Sequence, residues 1–150
     1  MKRPARYFRA GVGAVITDGR GRVLVCERKD IPGAWQFPQG GMEKGEEAID
    51  AAFREVAEET GIPKASLQLL RPYPDLLAYE LPREAQSAKT GMGQVQYWFL
   101  FRLKRPSSSI NLPRHSEFTA VEWVRFDEAV TRAAAFKKPL YKKLRARFKL

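Results

Sequence analysis

The chain has 150 residues, the size of one domain, and 44% of them are apolar, which is enough for a core and too much for an intrinsically disordered chain. Its 27 Lys and Arg against 17 Asp and Glu leave a formal net charge of +10, which favours nucleic acid, polyphosphates or an acidic membrane surface as partners. One cysteine, Cys26, excludes an intrachain disulfide and a cysteine-built zinc site; one histidine, His115, without a Gly-x-Ser-x-Gly elbow argues against a serine-hydrolase triad.

Met1-Lys2-Arg3-Pro4 leads into no apolar run of signal-peptide length, and no stretch reaches the ~20 apolar residues of a membrane span, so a soluble cytoplasmic protein is expected. Residues 9–17, rich in Val, Ile, Ala and Gly, read as a buried strand. Thr17-Asp18-Gly19-Arg20-Gly21 reads as a turn and residues 22–28 as the partner strand of a hairpin, with Cys26 a small buried side chain. Trp35-Gln36-Phe37 is a short extended piece that Pro38-Gln39-Gly40-Gly41 breaks. Residues 46–60 carry the strongest helical signal: Ile49, Ala52, Phe53 and Val56 make one apolar stripe, Glu46 and Glu47 suit the helix N-terminus, and Gly61 followed by Pro63 ends it.

Short strands are expected within 67–81, a polar loop over 84–93 and a strand buried on both faces over 94–103. A loop over 106–113, a strand over 120–125 and helices over 127–135 and 139–150 follow. The last helix places Leu140, Tyr141, Leu144 and Phe148 on one side. Neither an internal repeat nor an interior linker is visible, so residues 1–150 are expected to form a single α+β domain.

Glu55, Glu58 and Glu59 stand at i, i+3 and i+4, so a helix puts all three carboxylates on one face. Like charges so close repel by a few tenths of a kcal/mol per pair. A solvated face tolerates that repulsion, and a divalent cation removes it. Oxygen ligands without His or Cys point to Mg²⁺ or Mn²⁺.

Gly40, five residues, Glu46, seven residues and then Arg54-Glu55-Val56-Ala57-Glu58-Glu59-Thr60-Gly61-Ile62 match every fixed position of the Nudix box, and on this motif the chain resembles the Nudix hydrolases. The resemblance implies the Nudix fold, an α/β/α sandwich with a mixed sheet and the box as loop-helix-loop. It also implies hydrolysis of a pyrophosphate bond in a nucleoside diphosphate linked to another moiety. Glu55, Glu58 and Glu59 are then the catalytic metal ligands, with Gly40 in the metal-site loop, and Glu46, Arg54 and Gly61 are structural parts of the box. Gly40, Gly41 and Gly45 are expected to give that loop unusual backbone angles and close approach to phosphate.

Other segments resemble the subgroup of bacterial RNA 5′-pyrophosphohydrolases and dinucleoside polyphosphate hydrolases: Trp35-Gln36-Phe37-Pro38-Gln39-Gly40-Gly41, Tyr79 beyond the box, Gly93-Gln94-Val95-Gln96-Tyr97-Trp98-Phe99 and Phe136-Lys137-Lys138. By that likeness Glu117 supplies a further catalytic carboxylate, as metal ligand or general base. Phe136 packs on a base, against the alternative of a core phenylalanine. Arg9, Arg28, Gln39, Tyr79, Gln94, Gln96 and Lys137 complete the expected substrate-binding set. Lys137, Lys138, Lys142, Lys143, Arg145, Arg147 and Lys149 crowd the last helix, where an RNA substrate would find phosphate contacts and where the alternatives are a solvated face or a membrane-surface helix. The expected activity is removal of phosphates from an RNA 5′-triphosphate or 5′-diphosphate end. Diadenosine polyphosphate hydrolysis and a non-catalytic RNA- or nucleotide-binding module are the alternatives. The sequence points to no protein partner.

Overall fold

Side-chain alternation along two long strands sorts the core into two layers. A computed structural model describes residues 6–150, so the segment Met1-Lys2-Arg3-Pro4 lies outside the described residues. In chain order they form β1 (Phe8–Thr17), β2 (Arg22–Arg28), β3 (Trp35–Gln36), β4 (Gln39–Gly41), α1 (Ala48–Thr60), β5 (Leu67–Pro72), β6 (Leu77–Glu80), β7 (Gly93–Leu103), β8 (Phe118–Arg125), α2 (Phe126–Arg132) and α3 (Lys138–Phe148). On one face, Val12, Ala14 and Ile16 of β1 and Phe99, Phe101 and Leu103 of β7 pack against Ala51, Ala52 and Val56 of α1. On the other, Val15, Trp98 and Leu100 pack against Val130 of α2 and Leu140, Tyr141, Leu144 and Phe148 of α3. A mixed sheet between helices, the expected α/β/α sandwich of an α+β fold, follows from that double burial.

The predicted β1–β2 hairpin closes only at its turn, where Thr17 pairs with Val23. Beyond that point the strands separate. β1 runs parallel to β7 from Phe8↔Gly93 to Thr17↔Arg102, and β2 runs antiparallel to β8. The gap between them is filled by the segment expected to break the chain. β3 pairs with β2, and Gln39, Gly40 and Gly41 form a short strand on Gly13, Val12 and Gly11. Phe37, fully buried between them, wedges the gap open against Trp98, Phe126 and Tyr141, and its N–H donates to the Tyr141 hydroxyl at 2.9 Å. Local turn chemistry shows where a hairpin starts; this long-range aromatic packing decides where it stops.

Helix α1 starts at Ala48, two residues later than its acidic lead-in indicates, because Glu46 turns back to an ion pair instead of joining the first turn. Its end is as read: Gly61 is left-handed, with φ 76°, and its N–H bonds the Ala57 carbonyl. Cys26 is fully buried. Among the described residues no helix is long and apolar enough to cross a membrane.

Gly13 faces Trp98 across the parallel register, and a methyl group there would stand 2.5 Å from the indole ring. Overpacking of this kind costs about 1–3 kcal/mol. Gly13→Ala is therefore expected to lower the melting temperature by about 3–10 °C in calorimetry. An unchanged melting temperature would show that the indole yields freely.

Candidate active site

The Arg54 guanidinium organises the loop-helix-loop segment. Its Nε and Nη2 donate to the two Glu46 carboxylate oxygens at 2.8 and 2.9 Å, and Nη2 also donates to the Gly41 carbonyl of β4 at 2.9 Å. Nη1 reaches Glu55 at 2.9 Å and, more weakly, Glu58 at 3.3 Å. One side chain thus ties strand, loop and helix together. The hydrogen bonds that Arg54 donates hold the Glu46 carboxyl at about 2, and acceptance by Glu46 and Glu55 raises the guanidinium further and keeps it charged.

Gly40 is required for a reason other than backbone angle. Among the loop glycines only Gly45, at φ 78°, is left-handed. Gly40 lies under Glu55, and a Cβ there would fall 2.0 Å from the carboxyl carbon. The close approach is of a carboxylate to backbone, and any larger residue would push Glu55 out of place.

Glu55, Glu58 and Glu59 lie on the face of α1 that lines a cleft of about 620 Å³, and Glu117 joins them from the loop before β8. Ser116 and Glu117 are latched to the helix. The Ser116 hydroxyl donates to the Glu59 carbonyl at 2.6 Å, and the Glu117 N–H donates to the Glu59 carboxylate at 2.9 Å. Burial raises the Glu55 carboxyl above the ordinary glutamate range, with the Glu58 and Glu59 charges adding to it. Burial likewise raises Glu59, and the neighbouring Glu117 charge adds to that. Carboxylates crowded and desolvated in this way present the hard oxygen donors that a divalent cation takes. The donor type fits Mg²⁺ or Mn²⁺. The acids do not converge into a ready-made cage among the described residues, and Arg54 supplies the counter-charge to Glu55 and Glu58.

The rest of the lining is cationic, polar and aromatic. Arg9, Arg28, Gln39, Tyr79, Gln94, Phe136 and Lys137 all line the cleft. Arg28 is held by Asp30 through two bonds of 2.7 and 2.9 Å. Lys137, buried at the end of a 3₁₀ turn, donates to Gln36 at 3.1 Å and Gln39 at 3.2 Å, and Gln39 donates to the Tyr79 hydroxyl at 2.9 Å. Burial, reinforced by the Arg28 charge, depresses Lys137 to about 7. Phe136 is half-buried and packs 5.6 Å from Tyr79, so it belongs to the cleft wall and not to the sealed core.

Three expectations change. Gln96 does not reach the cleft; it is fully buried, donating to Gln94 at 2.9 Å and accepting from the Trp98 indole at 3.0 Å, so it braces Gln94 from behind. Strand β7 places it on the Trp98 face, where the wide indole closes over it. Of the basic run at the end of the chain, only Lys137 lines the cleft. Arg145 pairs with Asp127 and Lys138 bonds the Thr131 carbonyl, because α3 turns those positions away. Finally, Lys89 and Thr90 join the cleft from a segment read only as a polar loop. The Tyr7 hydroxyl, bonded to the Ala88 carbonyl, holds that loop in place, a contact between residues 81 positions apart that no local pattern reveals. Gln36, the support of Lys137, does carry a signal: a polar residue between Trp35 and Phe37.

Known proteins resemble this chain in sequence and in fold. A family model of the NUDIX domain matches residues 7–144. An RNA pyrophosphohydrolase of Rhodospirillum rubrum is 41% identical over 141 residues, covering 91% of this chain and 84% of that protein. One of Saccharophagus degradans is 38% identical over 140 residues, covering 91% and 82%. Among solved structures, the E. coli dihydroneopterin triphosphate pyrophosphohydrolase superposes with a TM-score of 0.75 at 24% identity over 92% of this chain and 97% of that one. A C. elegans Ap4A hydrolase does so with 0.72 at 24% over 94% and 98%; at such identity both establish the fold alone. With its box intact and its fold shared, the chain belongs to the Nudix family.

Proposed function

We propose that this Nudix hydrolase is a metal-dependent RNA 5′-pyrophosphohydrolase of the cytoplasm, converting a 5′-triphosphate or 5′-diphosphate end into a 5′-monophosphate. The observation that carries this reading is that one cleft is lined both by the acids of α1 and by cationic and aromatic side chains. The relatives named RNA pyrophosphohydrolase, 38% and 41% identical, support it.

The residues divide the work by chemistry. Arg9, Arg28 and Lys137 face the phosphate chain and offset its charge, while the half-buried Phe136, backed by the buried Tyr79, offers a π-face on which a terminal base stacks without sequence preference. Glu55, Glu58, Glu59 and Glu117 would hold Mg²⁺ or Mn²⁺, which supplies charge neutralisation and polarisation of the scissile P–O bond. Glu117, exposed beside Glu59, would take a proton from the attacking water. Water oxygen bonds to phosphorus, the anhydride P–O bond breaks, and the departing phosphate or pyrophosphate leaves with the electron pair.

Diadenosine polyphosphate hydrolysis is the second reading, favoured by the position of Tyr79. The Phe136 ring that Tyr79 backs would take an adenine of a dinucleotide as readily as the first base of an RNA. Each reading makes a different demand on kcat/KM. With Mg²⁺ present, a short 5′-triphosphorylated RNA is expected to be hydrolysed with at least tenfold higher kcat/KM than diadenosine tetraphosphate. The reverse preference would move the function to nucleotide clearance.

The catalytic assignment predicts that chelation by EDTA abolishes turnover and that Mg²⁺ restores it. Glu58→Gln is expected to lower kcat by about 100-fold or more, since losing a few kcal/mol of charge stabilisation costs a decade per 1.4 kcal/mol. Full turnover in that variant would leave a binding module as the better description.

Lys137 predicts a pH signature in stability. Its folded value of about 7 lies below the ordinary 10.5, so between those limits the unfolded chain binds a proton that the folded chain lacks. Stability therefore rises with pH across that window, and burial of the charged form opposes folding below it. Lys137→Met is expected to lose this rise relative to the parent protein in thermal melts from pH 6.5 to 10. Parallel curves would show that Lys137 is solvated.

A further inference from the structure

A second basic cavity opens at the far end of the sheet from the cleft. It encloses about 660 Å³ between the β1–β2 turn and the segment that follows β7. Arg20 and Arg22 line it from the turn, and Arg102, Lys104 and Arg105 from the other side. The parallel register fixes its separation from the cleft. Gln94 of the cleft pairs with Arg9 and Arg102 of the cavity pairs with Thr17. Eight residues at ~3.3 Å each put the two sites about 26 Å apart along the sheet.

Three features point to an anionic ligand. Five cations face a single carboxylate, Asp18, and that carboxylate is already committed to Arg22 at 2.7 Å. Asp18 also accepts the N–H groups of Arg20 and Arg22 at 2.8 and 3.2 Å, so the turn carrying these cations is held in shape before any ligand arrives. The Nε of Arg105 is buried and has no hydrogen-bond partner among the described residues. Like charges gathered in a concave site repel one another, and a bound polyanion relieves that repulsion.

We propose that this cavity is a second, non-catalytic phosphate-binding site, which takes a run of at least two phosphates. The chemistry is that of a free polyphosphate or of an RNA backbone; at this distance, an RNA whose 5′ end occupies the cleft would reach it only with its downstream nucleotides. The cavity shares no residue with the cleft, so the proposal stands whichever anhydride the enzyme cuts.

Arg102 and Lys104 are exposed, so Arg102→Glu/Lys104→Glu keeps the core intact; Arg20→Glu tests the same cavity from the turn. Lys64→Glu/Arg83→Glu, at exposed positions outside the cavity and the cleft, makes the same change in net charge as the double variant. Binding is measured without turnover, in EDTA at low salt, with two probes: inorganic tripolyphosphate and a single-stranded RNA bearing a 5′-hydroxyl. The expected result is affinity at least tenfold weaker for one or both probes in the double variant, weaker binding of the same probe in Arg20→Glu, and little change in the charge-matched control. For RNA, the slope of log K against log salt is expected to fall by about 1.4, two phosphate contacts at ~0.7 each. Loss for tripolyphosphate alone identifies a small polyphosphate as the ligand, and loss for RNA alone identifies its backbone. Parent-like affinity for both probes in the double variant, or an equal loss in the control, overturns the proposal. Unchanged hydrolysis of diadenosine tetraphosphate relative to the parent verifies that the cleft of the variant is intact.

Discussion

Arg54 sits among four glutamates, and the geometry of the cleft depends on how it divides its five N–H donors. Two go to Glu46, which is thereby kept out of the first turn of α1; one goes to the Gly41 carbonyl, which fastens strand β4 to the helix; the remaining contacts fall to Glu55 and Glu58. Glu43 stands nearby at 3.7 Å. A lysine could not serve here, because its single ammonium cannot meet a carboxylate with two parallel bonds while also reaching a carbonyl in another element. Gly40 completes the arrangement by leaving room for Glu55 against the strand.

The cleft exists because β1 and β2 part after a single pair. Had the hairpin closed along its length, β4 would have no strand to join and Gln39 would not lie beside Tyr79. Phe37 keeps the gap open from within the core, and its bond to Tyr141 fixes α3 to the same point. The chain entering α3 thereby delivers Phe136 and Lys137 into the same cleft as the acids of α1. The apolar packing of one residue thus brings proposed substrate-binding residues, roughly a hundred residues away in the chain, into one cleft with the proposed metal ligands.

Charge is distributed on this molecule by function as well as by solubility. A chain of net charge +10 still concentrates carboxylates on one face of one helix and buries two of them enough to raise their affinity for protons. That unfavourable arrangement has a physical rationale in the divalent cation the family generally uses. Positive charge gathers in the cleft with those acids and again at the other end of the sheet, where it faces one carboxylate among the lining residues.

Much was legible in the sequence, and for a common reason. Helix α1, its Gly61 cap and the i, i+3, i+4 acids depend on neighbours within a turn or two, so periodicity displays them; the same holds for the apolar side of α3 and for the two-faced burial of β7 from Trp98 to Phe101, though Tyr97, expected on a buried face, is exposed. The spacing of the box likewise encodes a local brace, Glu46 to Arg54, that the structure contains. Only the tertiary structure decided the extent of the hairpin, the strand made by Gln39-Gly40-Gly41, the entry of Lys89 and Thr90 into the cleft, the withdrawal of Gln96 behind Trp98 and the turning away of the basic tail. Each depends on a partner far along the chain: Phe37 on Tyr141, Ala88 on Tyr7, Gln96 on the indole above it. Residue type and spacing specify which groups can share a helix face; which face meets which strand is set by the packing of large side chains that the linear order does not bring together.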